Sequence, residues 1–248
     1  MNVGNQVSFQ AALDEHFPGS MEEEAFVRQT KPALAAFGFT PDNTIPAVGL
    51  CRDELCRTFS GLVRDVWGDP FKFSSLAGMV FLGRTGFGAF HHHSPIIGER
   101  ERYLYFALPH IAIGPSGTVG ECTRPGRPGK SSACGALAAF HAELTSGTLD
   151  LEPDPDDQEQ GLLKAHMLKH MQWGETPDLA GLTHKAHEVI LGDLERMIRL
   201  TVNPNTADYA VMTGVQIHGP EGKQYVWPGK TYAVVKGDRH ELSLSPTT

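Results

Sequence analysis

The sequence predicts an α/β protein in which a mostly parallel central sheet is flanked by helices, with a helical N-terminal segment over residues 1–40. Three observations carry this. Short apolar runs alternate with amphipathic stretches through the middle of the chain. One run, RYLYFALPHIAI at 102–113, is apolar on both faces, as a strand covered on both sides must be. The 248 residues are 40% hydrophobic and 20% charged, which supplies a core without disulfide staples and suits a single domain over 1–248.

Residues 1–19 read as a loose lead-in. Ser20 and Glu23 form a capping-box pattern, so a helix is expected from there to about Gln29. Pro32 then opens a second short helix, ended by Gly38. TPDN makes a turn, and IPAVGLC (45–51) is a short buried strand. Over 52–67, Leu55, Cys56, Phe59, Leu62, Val63 and Val66 recur at helical spacing. Residues 74–83 are ambiguous between helix and strand, and the Gly-rich 84–95 reads as an irregular loop. The strand at 102–113 precedes a long Gly/Pro-rich loop, 114–130. A helix is expected over 131–144, then an acidic solvated stretch at 150–160, then amphipathic helices at 158–173 and 182–202. Strands at 208–219 and 224–235 flank a GPEGK turn.

Charge and ends exclude several classes. A net charge of −8 argues against a duplex nucleic-acid binder. No apolar run approaches the roughly 18 residues of a membrane span. The opening MNVGNQVSFQ lacks a basic region followed by an apolar one, so a cytoplasmic protein with reduced thiols is expected.

Several motifs fail on spacing. In GRPGKSS the residue five before Gly129 is Arg124, where a P-loop needs glycine. GPSGT has Thr118 where a nucleophile elbow needs glycine. His166 and His170 are four apart on a helix, but Met167 stands where a zinc-protease motif has Glu. These two, with His184 and His187, are assigned to solvated or half-buried helix faces.

The four cysteines, Cys51, Cys56, Cys122 and Cys134, include no C-x-x-C pair. Each is either a small buried hydrophobe or, given 12 histidines, a metal ligand; composition does not choose. Placement is more informative. Cys51 ends a buried strand, His110 follows Pro109 in the central one, and Cys134 lies in the expected first turn of a helix. Sites in open α/β sheets collect at such strand ends and helix starts. A helix start favours thiolate, the form that binds zinc. Two thiolates and one imidazole would leave a fourth position open, the catalytic rather than the structural zinc pattern. Cys56 is assigned to core packing and Cys122 to no role. Tyr225 and Trp227 are assigned to a sheet edge or a subunit interface.

TPDNTIPAVGLCRDELCR, RTGFGAFHHHSPI, RERYLYFALPHIAI, KSSACGALAAFHAEL and ADYAVMTGVQIHGPEGKQYVWPG together resemble the limiting-CO2-inducible protein B/C family over roughly residues 30–235. That family is similar to β-carbonic anhydrases in fold and metal site. The resemblance implies a Zn2+ ion held by Cys51, His110 and Cys134, and a lyase (carbonate dehydratase) that hydrates CO2 reversibly to bicarbonate with hydroxide generated at zinc. It also implies at least a homodimer. An alternative is a catalytically silent or regulatory zinc-binding subunit of a CO2-concentrating assembly; a zinc hydrolase acting on an ester or amide is a third.

Asp53 matches the Cys-x-Asp pattern of the wider class, which continues with x-Arg. Here that position is Leu55, so the arginine partner must come from elsewhere; Arg84 is the candidate, with Arg52 and Arg57 as alternatives. Asp53 would accept a hydrogen bond from the reacting hydroxide, or bind the ion itself. Phe and Ala residues of GFGAF would supply an apolar CO2 pocket. His91, His92 and His93 would relay protons, cap backbone groups, or include the true zinc ligand. With two thiolates neutralising the ion, activity is expected to favour alkaline pH.

Overall fold

The computed structural model describes residues 8–244. Helix α1 (Phe9–His16) starts at Ser8, whose Oγ accepts from Ala11 N–H at 3.2 Å. The lead-in expected over 1–19 is therefore ordered from Ser8 onward, and its first seven residues lie outside the described ones. Ser20 does not open a capping box; its hydroxyl donates to Phe17 O at 2.7 Å. Met21–Glu22 instead form a short strand, β1. Helix α2 (Glu23–Ala35) then runs through Pro32 as one helix where two were expected. Pro32 lies in the last turn, so its missing N–H costs a bond only at the fraying end.

Strand β2 (Ile45–Gly49) leads through Cys51 to a one-turn 3-10 helix, Glu54–Cys56, capped by Asp53. This continues into α3 (Arg57–Trp67), which buries Phe59, Val63, Val66 and Trp67. Trp67 Nε1 donates to Thr30 Oγ1 at 2.8 Å and ties α3 to α2. After the edge strand β3 (Phe71–Lys72), the ambiguous 74–83 stretch proves to be neither element: it holds a single 3-10 turn, Leu76–Gly78. The Gly-rich segment expected as a loop forms helix α4 (Gly83–His91).

The strand expected over 102–113 divides into β4 (Glu101–Ala107) and β5 (His110–Ala112). Pro109 lacks an N–H for the ladder, which accounts for the break. The long loop contains a two-stranded antiparallel ribbon, β6 (Glu121–Cys122) and β7 (Ser131–Ser132). Helix α5 (Gly135–Ser146) consequently starts four residues later than expected, with Cys134 as its N-cap. Helices α6 (Gln158–Leu168) and α7 (Leu179–Thr201) follow; Asp178 caps α7 by accepting from Gly181 N–H at 2.7 Å. Strands β8 (Ala207–His218) and β9 (Gln224–Val235) fall where expected, joined through Pro220–Gly222, and β10 (Asp238–Glu241) is an addition.

The sheet order is β1-β9-β8-β4-β2-β3, with β10 on β9 and β5 on β8. Strands β3, β2, β4, β5 and β8 pair in parallel; β9 joins β8 antiparallel and carries β1 and β10. The mostly parallel α/β architecture is thus present. Side chains alternate along β4: Phe106 meets Phe59 of α3, whereas Tyr105 meets Phe87 of α4. Helices α2 and α3 therefore cover one face, and α4 and α7 cover the other. Among the described residues no helix is long and apolar enough to cross a membrane.

Candidate metal centre

Beyond the carboxyl ends of β2 and β4 the chain turns sharply around Cys51. The loop that follows β3 packs against this end of the sheet. Gly78 there has φ +79°, and a Cβ on it would lie 2.6 Å from Leu108 O, so only glycine permits the approach. Cys51 comes from the end of β2, His110 from the start of β5, and Cys134 from the cap of α5. Their ligand atoms lie within 4.8 Å of one another, and all three residues are buried.

The two sulfurs are 4.0 Å apart. A hydrogen bond from Cys134 and the nearby His110 hold the Cys51 thiol well below its ordinary pKa. Cys134, donating that bond and buried, is pushed up. His110 is fully buried, and its Nε2 has no hydrogen-bond partner, while its Nδ1 lies 2.9 Å from His218 Nε2. A buried bare imidazole nitrogen costs free energy unless something binds it. Two sulfurs and a nitrogen are the donor set a zinc ion takes, so these residues fit such a group. A second trio, Cys56, His110 and His218, is also close. It fits less well: both ring nitrogens of His218 are already bonded, Nε2 to His110 Nδ1 and Nδ1 to Gln224 Oε1.

Asp53 sits beside the cluster, and its partner is not Arg84. Arg124 forks onto it, with Nη1 2.7 Å from Oδ1 and Nη2 2.9 Å from Oδ2. The same guanidinium reaches Glu54 at 2.8 Å and donates to Ser131 Oγ and Ser132 O, both at 3.1 Å. Burial alone would raise the Asp53 pKa. The Arg124 bonds and the Leu55 N–H outweigh it and hold the carboxyl well below the usual range. Arg84 lies exposed at the start of α4 and makes no ion pair among the described residues. Of the alternatives, Arg52 pairs with Glu159 at 2.6 Å, and Arg57 lines a cleft of about 130 Å³ that also touches Cys51, Asp53 and Cys56.

The three consecutive histidines belong to α4 and its end. His91 is buried, bonded through Nε2 to Tyr105 Oη at 2.8 Å and stacked on Tyr103. Burial lowers its pKa to about 4, so it does not titrate near neutrality. His93 packs edge-on against Phe71. Phe87 and Phe90 of the GFGAF stretch are core residues against Tyr105, not cleft lining. His166, bonded to Asp193 at 2.6 Å, and His184 are half-buried, but His187 is buried against Thr213. Trp227 packs on His184 and His187, and Tyr225 on Phe9. Cys122 lies 3.2 Å from Ser131 Oγ. Sequence reading missed Arg124, His218 and Gln224. Only a basic residue close to Cys122 in the long loop could have pointed to the first.

The fold is a mostly parallel α/β sheet flanked by helices, with a buried cluster of possible metal ligands at one end of it. The chain belongs to the family of limiting CO2-inducible proteins B/C, β carbonic anhydrases, which it matches over residues 20–235. It is similar to the crystal structure of limiting CO2-inducible protein LCIB at 35% identity and TM-score 0.78, covering 94% of this chain and 97% of that one. It shares the fold of PtLCIB4, a homologue of LCIB, at 24% identity and TM-score 0.82, covering 94% of this chain and 99% of that one. No curated protein matches the chain.

Proposed function

We propose that the protein is a zinc-dependent carbonic anhydrase that hydrates CO2 reversibly to bicarbonate. The observation that carries the reading is the buried, unpartnered His110 Nε2 beside the Cys51 and Cys134 sulfurs. Cys51, His110 and Cys134 would hold the ion. Bound there, zinc would supply a Lewis acid that lowers the pKa of water, from ~15.7 to about 7 in the most acidifying sites; with two thiolates offsetting its charge the lowering would be smaller, so activity would favour alkaline pH. Asp53, kept ionised, is an acceptor only; it takes a hydrogen bond from the reacting water and fixes which lone pair faces carbon. Arg124 holds that carboxylate in a two-point grip, which would keep it from serving as a further ligand to the ion. The neighbouring cleft of about 130 Å³ suits a triatomic gas. It is smaller than the ~300–1,000 Å³ of sites for larger ligands, which disfavours an ester or amide hydrolase.

Stopped-flow CO2 hydration on metal-analysed protein, beside Cys134→Ser, tests the reading. Hydration by the parent, lost together with zinc in the variant, is expected. Stoichiometric zinc with no hydration, even reduced and at alkaline pH, would instead identify a catalytically silent subunit. The reading takes CO2 and bicarbonate as small-molecule partners and two or more copies as the working assembly, which light scattering measures.

A further inference from the structure

The register of three strands sets three side chains in a row. β5 pairs with β8 at His110↔Gln216 and Ala112↔His218, and β8 pairs with β9 at His218↔Gln224. Residues paired across strands, or two apart along one, share a face of the sheet. His110, His218 and Gln224 therefore stand side by side on one face, and they are bonded in sequence. His110 Nδ1 lies 2.9 Å from His218 Nε2, and His218 Nδ1 lies 2.5 Å from Gln224 Oε1.

The far end fixes the direction of the row. Gln224 Nε2 is turned to Gly222 O at 3.5 Å, which leaves Oε1 facing His218. An amide oxygen only accepts, so His218 Nδ1 carries a proton and donates it. His218 Nε2 is then bare and accepts, so His110 Nδ1 carries the proton. What remains on His110 is a bare Nε2, the buried atom that no group in the described chain satisfies.

We propose that His218 and Gln224 are positioning residues for His110: they lock its ring in the Nδ1–H tautomer and aim the Nε2 lone pair at the Cys51 and Cys134 sulfurs. The proposal rests on the reading of those three residues as a metal site. Such outer partners raise the basicity of an imidazole ligand and restrict its rotation, and their loss typically weakens metal affinity by about 10- to 100-fold. Neither residue touches the reacting atoms; both act through His110.

The test is zinc affinity by competition with a chelating dye, together with the visible spectrum of the Co2+-loaded protein. His218→Phe keeps a ring but removes the acceptor, and is expected to raise the zinc Kd by about 10- to 100-fold and to alter the Co2+ bands. His218→Gln restores an acceptor oxygen and should recover most of the affinity. Gln224 is only half-buried, so Gln224→Ala tests the row with less risk to folding; it should weaken zinc binding in the same direction, and Gln224→Glu should not. Cys134→Ser serves as the reference for a lost ligand. If His218→Phe and Gln224→Ala bind zinc as the parent does while Cys134→Ser does not, the positioning role is overturned and the metal reading stands. If the parent itself takes up neither Zn2+ nor Co2+, the metal reading fails and the positioning role falls with it.

Discussion

Asp53 stays ionised because a guanidinium 71 residues away in the chain reaches it. Removing one partner of such a pair costs about 1–3 kcal/mol, on the order of tenfold in rate where the carboxylate acts in the transition state. Arg124→Gln is therefore expected to lower CO2 hydration about tenfold or more with zinc content unchanged, whereas Arg84→Gln, on an exposed helix start, should stay within about two-fold; stopped-flow rates beside metal analysis decide. Glu23 offers a separate handle. It is 2% exposed and accepts from Gln216 Nε2 at 2.6 Å. Burial raises its pKa from 4.5 to about 7, against the lowering effect of Thr58 and Gln216. Its folded pKa lies above the unfolded one, so its contribution is full below pH 4.5 and is lost as pH rises to about 7. Glu23→Gln removes that dependence, so its stability relative to the parent should rise by up to about 3 kcal/mol between pH 4.5 and pH 8. Urea denaturation at the two pH values measures it. Cys51, His110 and Cys134 could be picked out by type and by their places at strand ends and a helix start. Arg124, His218 and Gln224 could not, because their significance lies in cross-chain register and loop path, which no local pattern encodes.

At the scale of elements, the strand leading to Cys51 and the helix after it were legible because the apolar residues repeat strongly: Phe59, Val63, Val66 and Trp67 face inward together. The pair β8 and β9 was legible for the same reason. Helix α4 was not, since Gly83, Gly86 and Gly88 mimic a loop while Phe87, Phe90 and His91 supply the packing that overrides their poor propensity. Helix α1 was missed because only Ala12 and Leu13 are buried, too few to show a period. The turn at Leu76–Gly78 matters most for the centre, because it closes over the end of β2 by backbone contact. Gly78→Ala puts a Cβ against the Leu108 carbonyl at a positive φ. It is expected to cost about 1–3 kcal/mol in chemical denaturation and to weaken zinc retention in parallel.

For the whole molecule, the sheet gathers donors that the sequence keeps far apart, and bound zinc should therefore stabilise the entire fold. At 100 times its Kd, a ligand that binds only the folded state adds about 2.7 kcal/mol, which for a chain of this size raises Tm by about 5–10 °C. Calorimetry should show that rise on adding zinc, its reversal by a chelator, and its absence in Cys134→Ser. The mostly parallel sheet was foreseeable from alternating elements, but the antiparallel flank of β9, β1 and β10 was not. The β1–β9 pairing joins opposite ends of the chain, Met21 with Val226, and β10 is a local fold-back on β9.

The two sulfurs stand 83 residues apart in sequence. A newly made or denatured chain therefore offers no ready-made claw, unlike proteins whose cysteines sit within one short loop. If zinc binds as proposed, its capture would wait until β2, β5 and α5 have all docked, so the moment of uptake during refolding would mark the completion of the tertiary structure rather than its beginning.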